Sequence, residues 1–220
     1  MAEQKTRSAL HHLTTPRAAA LAGVIFALLF GAAIILLRSS LPDGAEPGTQ
    51  WLTAGEHKMV LAAELVTFSG IAFLWFIGVV RANLGSYEDR FFATVFLGSG
   101  LLFLGMMFVV VAVGAALATA SEAGLLAGTG VGTFGQMMML KLSKTYALRM
   151  AAVFMMSLAT IWLRTGLMPK WLVGLSYSTA LVLMAAADTT MWLSLSFPLW
   201  VLIVSVLLLT RDERAAQATC

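Results

Sequence analysis

Three charged side chains, Glu64, Arg149 and Asp188, lie within or at the edge of long apolar runs, and they are the residues of this chain best placed to do chemistry. An ionised carboxylate in a hydrocarbon core costs at least about 2.5 to 3.5 kcal/mol on insertion scales, so Glu64 has to be paired, protonated or hydrated. It stands five residues beyond Met59, about 7 to 8 Å along a helix. Arg149 falls near the start of another run, and Asp188 closes the end of a third. In a bundle of alternating helix direction these groups share one layer near one face of the membrane. Such a layer reads either as a site for a proton, ion or small solute, or as an ion pair that locks helices together. The second reading is favoured, because Phe68, Ile71 and Trp75 follow Glu64 on its face and Met184 and Leu181 lie inward of Asp188, leaving no polar relay. Lys141, Thr145 and Arg149 recur every four residues with Lys144 beside them, a basic stripe able to meet lipid phosphates or an anionic solute. The simpler expectation is that Lys141 and Lys144 snorkel outward and anchor their helix.

Other patterns carry less. Gly130, Gly132 and Gly135 match G-x-G-x-x-G, but that fingerprint cradles a pyrophosphate only where a strand feeds a helix, and no strand precedes it here. His11, His12 and His57 lie in polar flanks, and Cys220, the single cysteine, is the last residue. Paired haem ligands and an intramolecular disulfide are therefore not expected. Met106, Met107, Met137 to Met139, Met155 and Met156 could offer thioethers to Cu(I), but without Cys or His beside them they read as flexible packing. No nucleophile and base, carboxylate dyad or metal set can be assembled, so an enzyme is not expected, and no catalytic residue, cofactor or metal is assigned.

The elements that must position these residues follow from composition. Of 220 residues 60% are hydrophobic and 11% charged, whereas soluble domains carry about 25% charged residues, so a soluble enzyme is excluded. The net charge of +3 comes from Lys and Arg at the ends of apolar runs, where membrane topology requires them, and it implies no nucleic acid. The chain divides into a polar segment 1–17, a transmembrane domain 18–209 and a polar tail 210–220. Spans are expected at Ala18–Leu37, Met59–Val80, Phe91–Leu117, Tyr146–Trp162, Trp171–Ala187 and Met191–Leu209, the last kinked by Pro198. Arg38 to Lys58 reads as a loop, Arg81 to Arg90 as a short polar connection, and Arg164 to Lys170, with Gly166 and Pro169, as a turn. Ala118 to Ser143, rich in Gly and Ala, is expected to be an outer loop leading into the fourth span. The alternative makes residues 125–142 a seventh span.

Six spans place both termini on one side together with Lys5, Arg7, Arg17, Arg81, Arg90, Arg164, Lys170, Arg211 and Arg214, and leave Arg38, Lys58, Lys141 and Lys144 on the other. The excess of positive charge then makes the terminal side cytoplasmic. Gly98, Gly100, Gly105 and Gly114 predict close helix approach around the third span. Ser176, Tyr177, Ser178, Thr179, Ser194 and Ser196 predict hydrogen bonds between helices.

The run Pro16, Arg17, Ala18, Ala19 with Gly23 ahead of an apolar helix, and the string Leu167, Met168, Pro169, Lys170, Trp171, Leu172, resemble uncharacterised polytopic bacterial inner-membrane proteins of unknown function. The resemblance covers the helix pattern of most of the chain. It implies a multi-pass location in the bacterial cytoplasmic (inner) membrane and supplies no catalytic residue. The expectation is thus an all-α, polytopic transmembrane helical bundle of six spans, or seven in the alternative. Its partners would be the lipid bilayer and a second copy or another membrane protein. Two functions fit: a noncatalytic accessory or structural membrane protein with an outer-leaflet charged cluster, or a small-solute or ion transporter using Glu64, Arg149 and Asp188.

Overall fold

The computed structural model describes residues 2–41, 50–84, 90–126, 129–186 and 191–217, and these are helical apart from short turns. In chain order the helices are α1 (Ala2–Ser40), α2 (Gln50–Leu84), α3 (Arg90–Glu122), α4 (Val131–Leu140), α5 (Ala147–Thr165), α6 (Lys170–Ala186) and α7 (Ser196–Gln217). A π-helical segment, Lys141–Tyr146, joins α4 to α5 without a break, and a 3₁₀ turn, Met191–Leu195, leads into α7. Helices are what such apolar runs must form in lipid, where each backbone N–H and C=O has to be satisfied within its own segment. Among the described residues five rods are long and apolar enough to cross a membrane: Ala20–Ser40, His57–Arg81, Phe91–Glu122, Val131–Thr165 and Trp192–Thr210. Lys170–Ala186 is apolar but shorter.

The turns show how the rods end. Gly166 sits at φ 66° with its N–H bonded to the Trp162 carbonyl at 2.9 Å, a left-handed cap that glycine adopts without strain. Three residues later the Pro169 carbonyl accepts the Leu172 N–H at 3.0 Å and opens α6, so the expected turn at 164–170 is present. Pro198 is the third residue of α7, just past the 3₁₀ segment Met191–Leu195, and lies within the apolar rod Trp192–Thr210, where the helix changes from 3₁₀ to α.

The connections differ from expectation. α1 continues through Arg38 to Ser40, and α2 begins at Gln50 and continues past Arg81 to Leu84, shortening the expected loops at both ends. α3 runs on to Glu122, and Val131–Leu140 is helix where a loop was expected. Gly132 and Gly135 do not break α4 because they are buried there, with the Leu117 side chain of α3 packed against Gly135. Residues 131–165 form one rod, so the chain does not reverse between Leu142 and Tyr146 as a separate span over 125–142 would require.

Neighbouring rods follow the order α7, α1, α2, α3, the α4–α5 rod, α6. Trp200 of α7 closes the circuit by donating its indole N–H to Ser176 Oγ of α6 at 2.8 Å. Thr160 of α5 and Tyr177 of α6 share a second interhelical bond at 2.7 Å. Inside the circuit lies an aromatic cluster to which five helices contribute: Phe26, Phe73, Phe103, Phe154 and Phe197, all buried. Ring centroids of Phe26 and Phe73 are 4.6 Å apart, Phe103 and Phe197 4.7 Å, and Phe73 and Phe154 5.3 Å, the range of favourable offset and edge-on pairs. The end of the bundle holding the α1 C terminus and the starts of α2 and α4 is termed distal here, and the opposite end proximal. At the proximal end Arg164 lies over the Phe92 ring, 4.7 Å from its centroid.

The four glycines expected to permit close approach on α3 divide evenly. A methyl group at Gly114 would run into Met59 and Met139, and one at Gly100 into Ile77 and Phe154. Gly98 and Gly105 face open space.

Candidate functional site

Polar side chains converge at the distal end. The spacing Ile34, Leu37, Arg38, Leu41 follows one helical face, and the other three residues are buried, so α1 carries the Arg38 guanidinium inward with them. Arg38 is 4% exposed and is the only charged side chain among the buried described residues. Its Nη2 donates to Ser143 Oγ at 3.4 Å, and Ser143 Oγ in turn donates to the Leu140 carbonyl at 3.4 Å. Beside it Ser40 Oγ donates to the Leu36 carbonyl at 3.0 Å and lies 3.3 Å from the Gly55 carbonyl of α2. Gln136 and Thr145 are also buried on the rod that carries Ser143.

The π-helical segment makes this arrangement possible. Ala147 donates its N–H to Leu142, five residues back, so one extra residue is accommodated in the turn. At about 100° per residue, the buried positions Gly132, Gly135 and Met139 would face a direction roughly 110° from that of Ala147, Ala151 and Leu158 in an uninterrupted α-helix. The extra residue returns the two faces to a common direction, and Ser143 lies on it. The expected basic stripe is divided in consequence: Lys141 is exposed, Thr145 is buried, and Lys144 and Arg149 are half-buried. Lys144 and Arg149 both make contacts in the fold.

Glu64 points elsewhere. It is exposed, in a shallow groove of about 290 Å³ lined by Ala63, Glu64 and Thr67 of α2 and by Phe108, Val111, Ala112 and Ala115 of α3. No residue of α5 lines that groove, so Glu64 and Arg149 enter different surroundings although both lie toward the distal end. Asp188 lies outside the described residues, as does Cys220. Of the expected cluster the fold therefore places two members, on separate surfaces.

In the sequence Arg38 reads as the first residue of the loop that follows the first span. The signal that finds it is the i, i+3, i+4, i+7 spacing with Ile34, Leu37 and Leu41, which continues the helix past the arginine. Gln136 reads as one of the polar residues of a loop over 118–143; a shift by one residue in the spacing of small and apolar positions between 131–140 and 147–165 marks the π turn.

Chemically, the distal end offers a guanidinium with donors in a fixed fork, the hydroxyls of Ser40, Ser143 and Thr145, and the Gln136 amide. Among the described residues no three His, Cys, Asp or Glu side chains come together to hold a metal ion. Met107, Met139 and Met155 are buried in apolar clusters. The Ser176 and Tyr177 hydroxyls, expected to bond between helices, do so with Trp200 and Thr160, whereas Ser196 Oγ bonds locally to the Leu193 carbonyl at 2.7 Å. No protein-family model, curated protein or solved structure matches the chain.

Proposed function

We propose that the chain is a six-crossing helical protein of the bacterial cytoplasmic membrane, with both termini on the cytoplasmic side, and that it serves as a noncatalytic accessory or structural component rather than as a conduit. The observation that carries this reading is the filled centre of the bundle. A path for ions or solute along the bundle axis would have to pass where Phe26, Phe73, Phe103, Phe154 and Phe197 are packed ring against ring. Separating such rings loses their mutual contact and wets apolar surface. Glu64, Arg149 and Asp188 then serve helix packing and partner contact, with the bilayer and a second copy or another membrane protein as partners.

In this reading α6 is the sixth crossing. Its 17 residues cover about 26 Å, somewhat less than a typical hydrocarbon core of about 30 Å, and its bonds to Trp200 and Thr160 hold it to both neighbours. From Ser143 to Arg164 the rod covers about 31 Å, so the distal polar groups and the proximal arginine bracket one bilayer core. The orientation is supported by Arg81, Arg90, Arg164 and Lys170, which all fall at proximal helix ends.

Reconstitution into proteoliposomes tests the function: proton and small-ion leak should equal that of protein-free vesicles. A flux that disappears in Glu64→Gln would overturn the accessory reading in favour of a transporter. The orientation has its own test at Cys220, which should react with a membrane-impermeant maleimide only after the cells are opened.

A further inference from the structure

Glu64 heads a lipid-facing strip. Phe68, Ile71 and Trp75, which follow it along the same face of α2, are all exposed. The groove beside it has a floor of alanines and holds no basic residue. Ionisable side chains at membrane depth almost always face protein or water. Glu64 lies near the edge of the core, within about 2 Å of the Ser143 level, where a second protein surface can cover the carboxylate, and the alanines beside it allow a helix to approach closely.

The chain carries a surface of complementary charge. Val131, Phe134, Met138 and Lys141 are exposed on a face about 110° around their rod from the buried Gly132, Gly135 and Met139, with Lys141 turned farthest from the buried side. Lys141 does not line the Glu64 groove of its own copy. The depths agree. Met59 and Met139 both pack over Gly114 and so mark one level on α2 and α4, which run in the same direction. From that level Glu64 lies about 7 to 8 Å toward the proximal end and Lys141 about 3 Å. A rotation axis along the membrane normal preserves depth, and the remaining offset of about 5 Å is within the reach of a lysine side chain directed along the helix axis.

We propose that copies of this chain associate head to tail, with the Lys141 face of one copy seated in the Glu64 groove of the next and the ammonium paired with the carboxylate. The proposal rests on the membrane-embedded reading above, because a shared bilayer plane is what aligns the depths. Two different patches meet, so the contact is heterologous and closes as a ring around an axis normal to the membrane.

The test uses two full-length chains of different tag size, Glu64→Cys and Lys141→Cys, each also carrying Cys220→Ser, co-expressed and probed in native membranes. A short bis-maleimide should join one chain type to the other, while neither chain alone should yield a covalent dimer. A dimer from the Glu64→Cys chain alone would place two grooves face to face and overturn the proposal. So would the absence of any cross-link, which assigns the groove to lipid. Charge reversal guards against misfolded variants: Glu64→Lys should reduce the oligomer fraction several-fold in mild detergent, and adding Lys141→Glu should restore it. A double variant that stays monomeric with an unchanged thermal transition refutes the pairing. The two readings fail separately. Cross-linking together with Glu64-dependent proton flux keeps the assembly and removes the accessory role, and loss of cross-linking without flux removes the assembly alone.

Discussion

At the level of Phe154 five helices meet through phenylalanine rings. At the level of Arg38 two rods meet through a guanidinium, a hydroxyl and a widened helical turn. Both levels belong to the same bundle, yet they are held by different physics. In lipid the surroundings of a helix are already apolar, so burying a phenylalanine gains packing contacts rather than escape from water. The aromatic level is therefore tight and replaceable only by equal shapes. The distal level has the opposite constraint: a charge is buried with its guanidinium directed to Ser143 Oγ of the second rod at 3.4 Å, and that geometry depends on one extra residue in the helix. This difference puts shape complementarity in the middle of the bundle and polar contact at its distal end.

The comparison breaks most readily at the aromatic level. Phe154→Ala removes a ring packed against Phe73, Phe96 and Phe197, and it should lower stability by about 3 to 5 kcal/mol, measured as thermal unfolding in detergent. A loss below 1 kcal/mol would mean that the centre is loosely packed and able to open. Next in size is overpacking near the distal end: Gly114→Ile pushes into Met59 and Met139 and should cost about 1 to 3 kcal/mol. Its control, Gly105→Ile, faces open space and should leave the same transition almost unmoved. Equal losses from the two glycines would contradict the assignment of inner and outer faces of α3.

Smaller effects sharpen the picture. Trp200→Phe keeps an aromatic ring but deletes the bond that ties α7 to α6 and leaves a small void where the indole is packed, for an expected loss of about 1 to 2 kcal/mol, with Ser176 still donating to the Leu172 carbonyl. The smallest change is expected at the polar level itself. Arg38→Met keeps most of the side-chain length without the charge, and stability should change by less than about 1 kcal/mol because the cost of burying a charge offsets most of its attraction. Ser143 retains its bond to the Leu140 carbonyl in that variant. Should Arg38→Met instead unfold the protein as severely as Phe154→Ala, the guanidinium would be the element that holds the π turn in place.

Several features were legible before any coordinates. The apolar runs announced helices, and Gly166 with Pro169 announced the turn between α5 and α6 because one permits a left-handed cap and the other cannot continue a helix. The same reasoning failed over 131–140. Gly132 and Gly135 read there as loop formers, although both are buried in a helix and the Leu117 side chain of α3 occupies the space beside Gly135. At the candidate site, residue types were readable and directions were not. Glu64 was visible as a costly charge, but the sequence around it could not say that it faces outward, nor that the fold would turn Arg38 inward.

The sequence by itself determined that the chain folds into helices with the length and apolar content to cross a membrane, because backbone polar groups in hydrocarbon have no other way to be satisfied over such runs. It also determined where basic residues fall along them. Tertiary structure alone decided which face of each helix turns inward, since in lipid the outer face of a bundle is as apolar as its core and leaves no polar stripe to mark the outside. Packing placed Phe68, Ile71 and Trp75 on the surface and Phe73 and Phe76 in the core of one helix, although both sets are equally hydrophobic. The shapes of the surrounding side chains made that choice, and with it the direction of Glu64.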